Sequence, residues 1–129
     1  MLMQDSTALY RTFYTAEDRF TAEPSLPGFE PDVIFDYIQS GLDLASLYNK
    51  RAAHPNRLLE ELFLRRVFYR LLSAIDDEDN SRIFRRVCLD NIYGPLLALK
   101  RHYSVSDAGY RRFLILEQEL RNVQYSINF

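Results

Sequence analysis

"LFLRRVFYRLL", Leu62 to Leu72, sets three arginines among eight apolar residues. Placed at about 100° per residue, the apolar side chains point in nearly every direction, whereas a surface helix confines them to one stripe. A helix of this kind needs neighbours on more than one side. The stretch therefore predicts a central helix, from about Arg57 to Ala74, and with it an all-α protein built around that helix.

The flanking sequence carries the same helical spacing, and no segment alternates with the period of a strand. A first helix from about Ser6 to Thr21 places Leu9, Tyr10, Phe13, Tyr14 and Phe20 on one face and Arg11, Thr15, Asp18 and Arg19 away from it. "EPSLPGFEP", Glu23 to Pro31, is a connecting loop. Pro31 suits a first turn and Asp32 the positive end of the next helix. There Val33, Ile34, Tyr37, Ile38, Leu42, Leu44, Ala45 and Tyr48 share a sector. Gly41 weakens the middle of that helix by about 1 kcal/mol relative to alanine, which invites a break into two.

Pro55 is a stop signal and Asn56 a cap for the central helix. The acidic turn "DDEDNS", Asp76 to Ser81, precedes a fourth helix to about Tyr93. Gly94-Pro95 then begins either a kinked extension or a separate short helix. Ser106 is positioned to cap a last helix in which Phe113, Leu116, Leu120, Val123 and Ile127 form a stripe. Five helices are expected, within an antiparallel helical bundle of four to six. The whole chain, 1–129, reads as one helical domain: a helix over 6–21, a loop over 23–31 and a bundle over 32–127. "FLRRVF" and "IFRRVC" echo one another, but two such matches do not make a repeat array.

With 47% apolar and 14% aromatic residues, the chain can bury a real core. No apolar run approaches the roughly 18 residues that cross a bilayer, and "MLMQDSTALY" lacks the features of a secretory signal. A cytoplasmic location is the expectation. Cys88 is the single cysteine, so no intramolecular disulfide can form. His54, His102 and Cys88 are scattered, without metal-ligand spacing, and the acidic turn lacks the glycine and distal glutamate of a calcium loop. No metal or cofactor is expected. No phosphate loop or nucleophile elbow occurs either, which leaves an enzyme as the least supported class.

The net charge of −2 conceals fourteen arginines against two lysines. Base composition of a genome can produce that bias, but guanidinium also makes bidentate contacts and stacks on rings where an ammonium cannot. Glu61 stands four residues before Arg65, Asp90 four after Arg86, and Glu117 four before Arg121, so local pairs answer these charges. Arg66 and Arg70 share a face and have no acid three or four residues away; Arg85 and Arg112 lack one too. Their partners must be acids on other helices, such as Asp36, Asp43 or Glu60, or an external anion.

Arg66, Arg70 and Arg85, with Tyr10 and Tyr14, are accordingly the candidates for a partner-binding site. Tyrosine and arginine suit interface cores. The leading expectation is a small non-catalytic protein that binds another protein, as adaptor, chaperone-like factor or regulator of a larger assembly. A homodimer and a hetero-complex fit equally well. The alternative is a DNA-binding regulator: Leu96 to Leu116 has the order of a helix-turn-helix unit, with Tyr110, Arg111 and Arg112 near the start of its second helix. Lys100, the weak helix former Gly109 and the slightly acidic net charge stand against it.

Overall fold

Asn56, Ser81 and Ser106 decide where the chain re-enters helix. Each side-chain oxygen accepts a hydrogen bond from the N–H three residues on, from Leu59 (3.1 Å), Phe84 (3.1 Å) and Gly109 (3.0 Å), which satisfies a donor that a helix start leaves open. A computed structural model describes residues 6–22 and 30–127 of the chain. Its six helices are α1 (Ser6–Thr21), α2 (Glu30–Ser46), α3 (Arg57–Asp76), α4 (Arg82–Asn91), α5 (Tyr93–Tyr103) and α6 (Asp107–Ser126). The loop expected over Glu23 to Pro31 lies outside the described residues as far as 29, and Pro31 sits in the first turn of α2.

The fold is an all-α antiparallel helical bundle with α3 at its centre. α3 packs against α2, α4, α5 and α6, and reaches α1 through long side chains. Its buried face consists of Phe63, Leu64, Val67, Phe68, Leu71, Leu72, Ala74 and Ile75. Every helix contributes to one continuous core, from Phe13 and Phe20 in α1 to Phe113, Leu116 and Leu120 in α6. Tyr37 is stacked between Phe20 (ring centroids 4.7 Å) and Phe13 (5.6 Å), and Phe13 meets Phe63 edge-on at 5.9 Å. These rings tie α1 to both α2 and α3. No helix among the described residues is long and apolar enough to cross a membrane.

Two expectations need correction in detail. Gly41 does not break α2, which runs unbroken from Glu30 to Ser46. A Cβ at Gly41 would overlap Val67 Cγ2 and come within 3.2 Å of Phe13 Cε1, so the missing side chain is what lets α1, α2 and α3 converge. Of the two forms open after the fourth helix the separate short helix is the one present, and the correction is to where the break falls. The break falls at Ile92, one residue before Tyr93-Gly94-Pro95 opens α5, where a proline has no N–H to leave unbonded.

Candidate functional site

Glu17 lies on the apolar side of α1, four residues after Phe13 and three before Phe20, and is buried with them. A carboxylate in that position requires partners. It finds them across the bundle: Arg66 Nε donates to Glu17 Oε2 at 2.8 Å and Arg66 Nη2 to Oε1 at 2.5 Å, a bidentate fork. The Tyr37 hydroxyl donates to Oε2 at 2.8 Å, and Arg70 Nε stands 3.8 Å from the same oxygen. The Arg66 hydrogen bonds hold the Glu17 carboxyl below its ordinary value, against burial, with help from Tyr37 and Arg70. Tyr37 is pushed the other way, by burial first and by the Glu17 carboxylate second.

Arg66 and Arg70 thus have an acid on another helix, as their lack of local partners requires, but it is Glu17 rather than Asp36, Asp43 or Glu60. Asp36 stands 3.5 Å from Arg19, Asp43 accepts from Gln39 at 2.8 Å, and Glu60 is paired with His102 Nδ1 at 2.5 Å. The local pairs Arg86–Asp90 (3.4 Å) and Glu117–Arg121 (3.2 Å) are present. Glu61 and Arg65 instead meet through a third residue. The Tyr103 hydroxyl donates to Glu61 and accepts from Arg65 Nη1 at 3.2 Å, while the Arg65 guanidinium lies 5.2 Å over the Tyr69 ring.

Four of the five predicted partner-binding residues come together. Tyr10 and Tyr14 stack with centroids 6.4 Å apart, and the Arg66 guanidinium covers Tyr14 at 5.4 Å, so an aromatic and cationic edge runs along the α1–α3 seam. The Tyr10 hydroxyl lies 2.7 Å from that of Tyr48, and burial together with that bond pushes it up to about 12. Arg85 is elsewhere. Its Nε donates to the Ile75 carbonyl at 2.7 Å and closes the acidic turn between α3 and α4.

Next to this seam lies a strip of α3 that its neighbours leave open in part. At about 100° per residue, Leu58, Leu62, Tyr69 and Ser73 fall in one sector, with Arg66 and Arg70 on its α1 side and Glu61 on its α6 side. Arg112 of α6 faces Glu61 at 3.9 Å, and burial and Glu119 raise the Tyr69 hydroxyl to about 12. α1 and α6 therefore flank the exposed strip from opposite sides. Leu58 is 73% exposed and Leu62 53%; Tyr14 on the α1 flank is 42% exposed and Ile115, between Arg112 and Glu119 on α6, 60%.

The residues of the helix-turn-helix reading are also placed. α5, a three-residue turn over 104–106 and α6 follow one another in the expected order, with Tyr110 and Arg111 exposed and Arg112 turned toward Glu61. Gly109 is close-packed: a Cβ there would run into the Tyr103 carbonyl.

Glu17, Leu58, Leu62 and Ile115 were not singled out by sequence reasoning. For Glu17 a signal existed, an acid inside the apolar stripe of α1 opposite two arginines without local partners. For the leucines none did, because apolar residues all round α3 do not say which of them the neighbours leave uncovered.

Fold and face together define an all-α bundle whose central helix keeps an apolar strip in solvent beside an arginine-aromatic seam. No family model, curated protein or solved structure matches the chain.

Proposed function

We propose that the chain is a non-catalytic binding module that docks another protein on the α1–α3–α6 face. The observation that carries this reading is the position of Leu58 and Leu62: two leucines more than half exposed on the most central helix of the bundle, between Tyr14 and Ile115. Exposed leucines with a polar and arginine-rich rim have the composition of an interface centre. Arg66 and Arg70 serve that face indirectly. Their charges are committed to Glu17, so they fix the α1 flank, while the outer side of Arg66 and the Tyr14 ring remain open to a partner. The partner is a second copy of this chain or a different protein, met in the cytoplasm.

Tagged wild-type chain and a Leu58→Asp, Leu62→Asp double variant, each checked for unchanged helicity, are compared in capture from the native host. Both substitutions sit in solvent and leave the core intact. The reading predicts specific proteins, or untagged copies of the chain, retained by wild type and lost from the variant. Retention of the same set by both would contradict it.

DNA binding is the second reading, favoured by Tyr110 and Arg111 standing exposed near the start of α6. It predicts a salt-sensitive DNA complex that Arg111→Ala with Arg112→Ala abolishes. Unchanged affinity in that variant excludes it.

A further inference from the structure

A cleft of about 510 Å³ opens at the corner where α2 ends, α3 begins and α5 ends. Its wall is apolar, formed by Leu42, Ala45, Leu64 and Ala98, and its rim is cationic, formed by Lys50, Arg51, Arg57 and Arg101. One carboxylate, Glu60, lines it, and that group is already bound to His102 Nδ1 at 2.5 Å. Elsewhere in the bundle the arginines of ion pairs face acids: Arg19 and Asp36, Arg66 and Glu17, Arg86 and Asp90, Arg112 and Glu61, Arg121 and Glu117. Lys50, Arg51 and Arg101 make no ion pair among the described residues. Like charges gathered round a concavity repel unless an anion answers them, and this rim gathers four against a single carboxylate.

We infer that the cleft binds a small phosphorylated molecule, its phosphate held by the rim and its organic body lying against the apolar wall. Three features fit that ligand. A doubly charged group neutralises a rim of this charge better than a carboxylate does, and the guanidinium fork matches phosphate oxygens two at a time. The rim is built before any ligand arrives: Ala52 N–H donates to Asn49 O at 3.0 Å, Arg51 N–H to Asn49 Oδ1 at 3.0 Å, and Asn56 N–H to Tyr48 O at 2.9 Å. Arg57 Nη2 donates to the His102 carbonyl at 2.5 Å, which clamps the start of α3 to the end of α5. The volume is several times that of inorganic phosphate, which gives the apolar wall something to hold.

The inference stands apart from the docking face, which lies on the other side of α3's start. It is tested by titrating ¹⁵N-labelled full-length chain with inorganic phosphate and with phenyl phosphate at constant ionic strength, following the arginine side-chain and His102 resonances. The expected result is saturable shifts at Arg51, Arg101 and His102, with phenyl phosphate binding at least about fivefold tighter than phosphate. Arg51→Glu with Arg101→Glu, both on the solvent side and so compatible with an intact fold, should weaken phenyl phosphate about tenfold or more. Arg111→Glu, on the first turns of α6, should leave it unchanged. Shifts that fail to saturate, equal affinity for the two probes, or equal loss in the Arg111 variant would each overturn the proposal.

Discussion

Glu17 exchanges water for two guanidinium hydrogen bonds and a tyrosine hydroxyl, and the exchange is uneven among its partners. Arg66 makes the short bidentate contact, whereas Arg70 stands 3.8 Å away with about half of its side chain in solvent. Arg66→Ala leaves a carboxylate that is 7% exposed with one distant cation, and should lower stability by about 2 to 3 kcal/mol, solvent access to the outer guanidinium softening the full buried-pair penalty. Arg70→Ala should cost under about 1 kcal/mol. Urea denaturation of the two variants checks the order, and equal losses would contradict the assignment. The carboxyl also carries a pH signature. Its folded pKa lies below its ordinary 4.5, so the stability it contributes is complete above that value and disappears as pH falls through the folded pKa. Stability of Glu17→Gln should therefore be lower than wild type at pH 7 and should fall less steeply on acidification below about pH 4.5. Local spacing revealed Arg86–Asp90 and Glu117–Arg121 because their partners share a helix; Glu17 and Arg66 are brought together only by tertiary packing, forty-nine positions apart.

At the scale of elements, glycine shows how the same residue type serves opposite ends. Gly41 is a crossing point where a methyl group would meet Val67 and Phe13, and Gly94 in the first turn of α5 has no other helix within 4 Å of a Cβ. Gly41→Ala should therefore destabilise by about 1 to 3 kcal/mol, overpacking outweighing the helix propensity that alanine adds. Gly94→Ala should change stability by less than about 1 kcal/mol, because the helix propensity that alanine adds is offset by the contact of its Cβ with the Pro95 ring in the helical conformation. Thermal melts of both variants test whether the Gly41 loss is the larger. Caps, the proline stops and the amphipathic face of α2 made the helices readable, since Asn56, Ser106 and Pro55 act within one turn of themselves. Propensity alone misplaced two details. It marked Gly41 as a weak point when contact with α1 and α3 makes it a tight one, and it set the α4–α5 break at Gly94-Pro95 when the chain turns at Ile92.

Across the whole molecule, the aromatic and aliphatic surplus divides between the core and the surface. Phe13, Phe20, Tyr37, Phe63, Phe68 and Phe84 are buried; Tyr14, Leu58, Leu62 and Ile115 remain in solvent on α1, α3 and α6, and Phe35, Ile83 and Leu97 are exposed on other helices. The sequence shows that α3 is apolar all round; which arc stays uncovered depends on where the buried faces of α1 and α6 settle, with Glu17–Arg66 on one flank and Glu61–Arg112 on the other. The central claim is that this uncovered arc is where another protein docks. A photoreactive phenylalanine analogue placed at Leu62, and in a parallel variant at Leu97 on the outer side of α5, probes it directly in the native host. Both positions are about half exposed, so solvent access alone does not distinguish them. The account predicts a discrete cross-linked adduct, with a second copy or a different protein, from position 62 and none from position 97. An adduct from position 97 alone, or none from position 62, would contradict it.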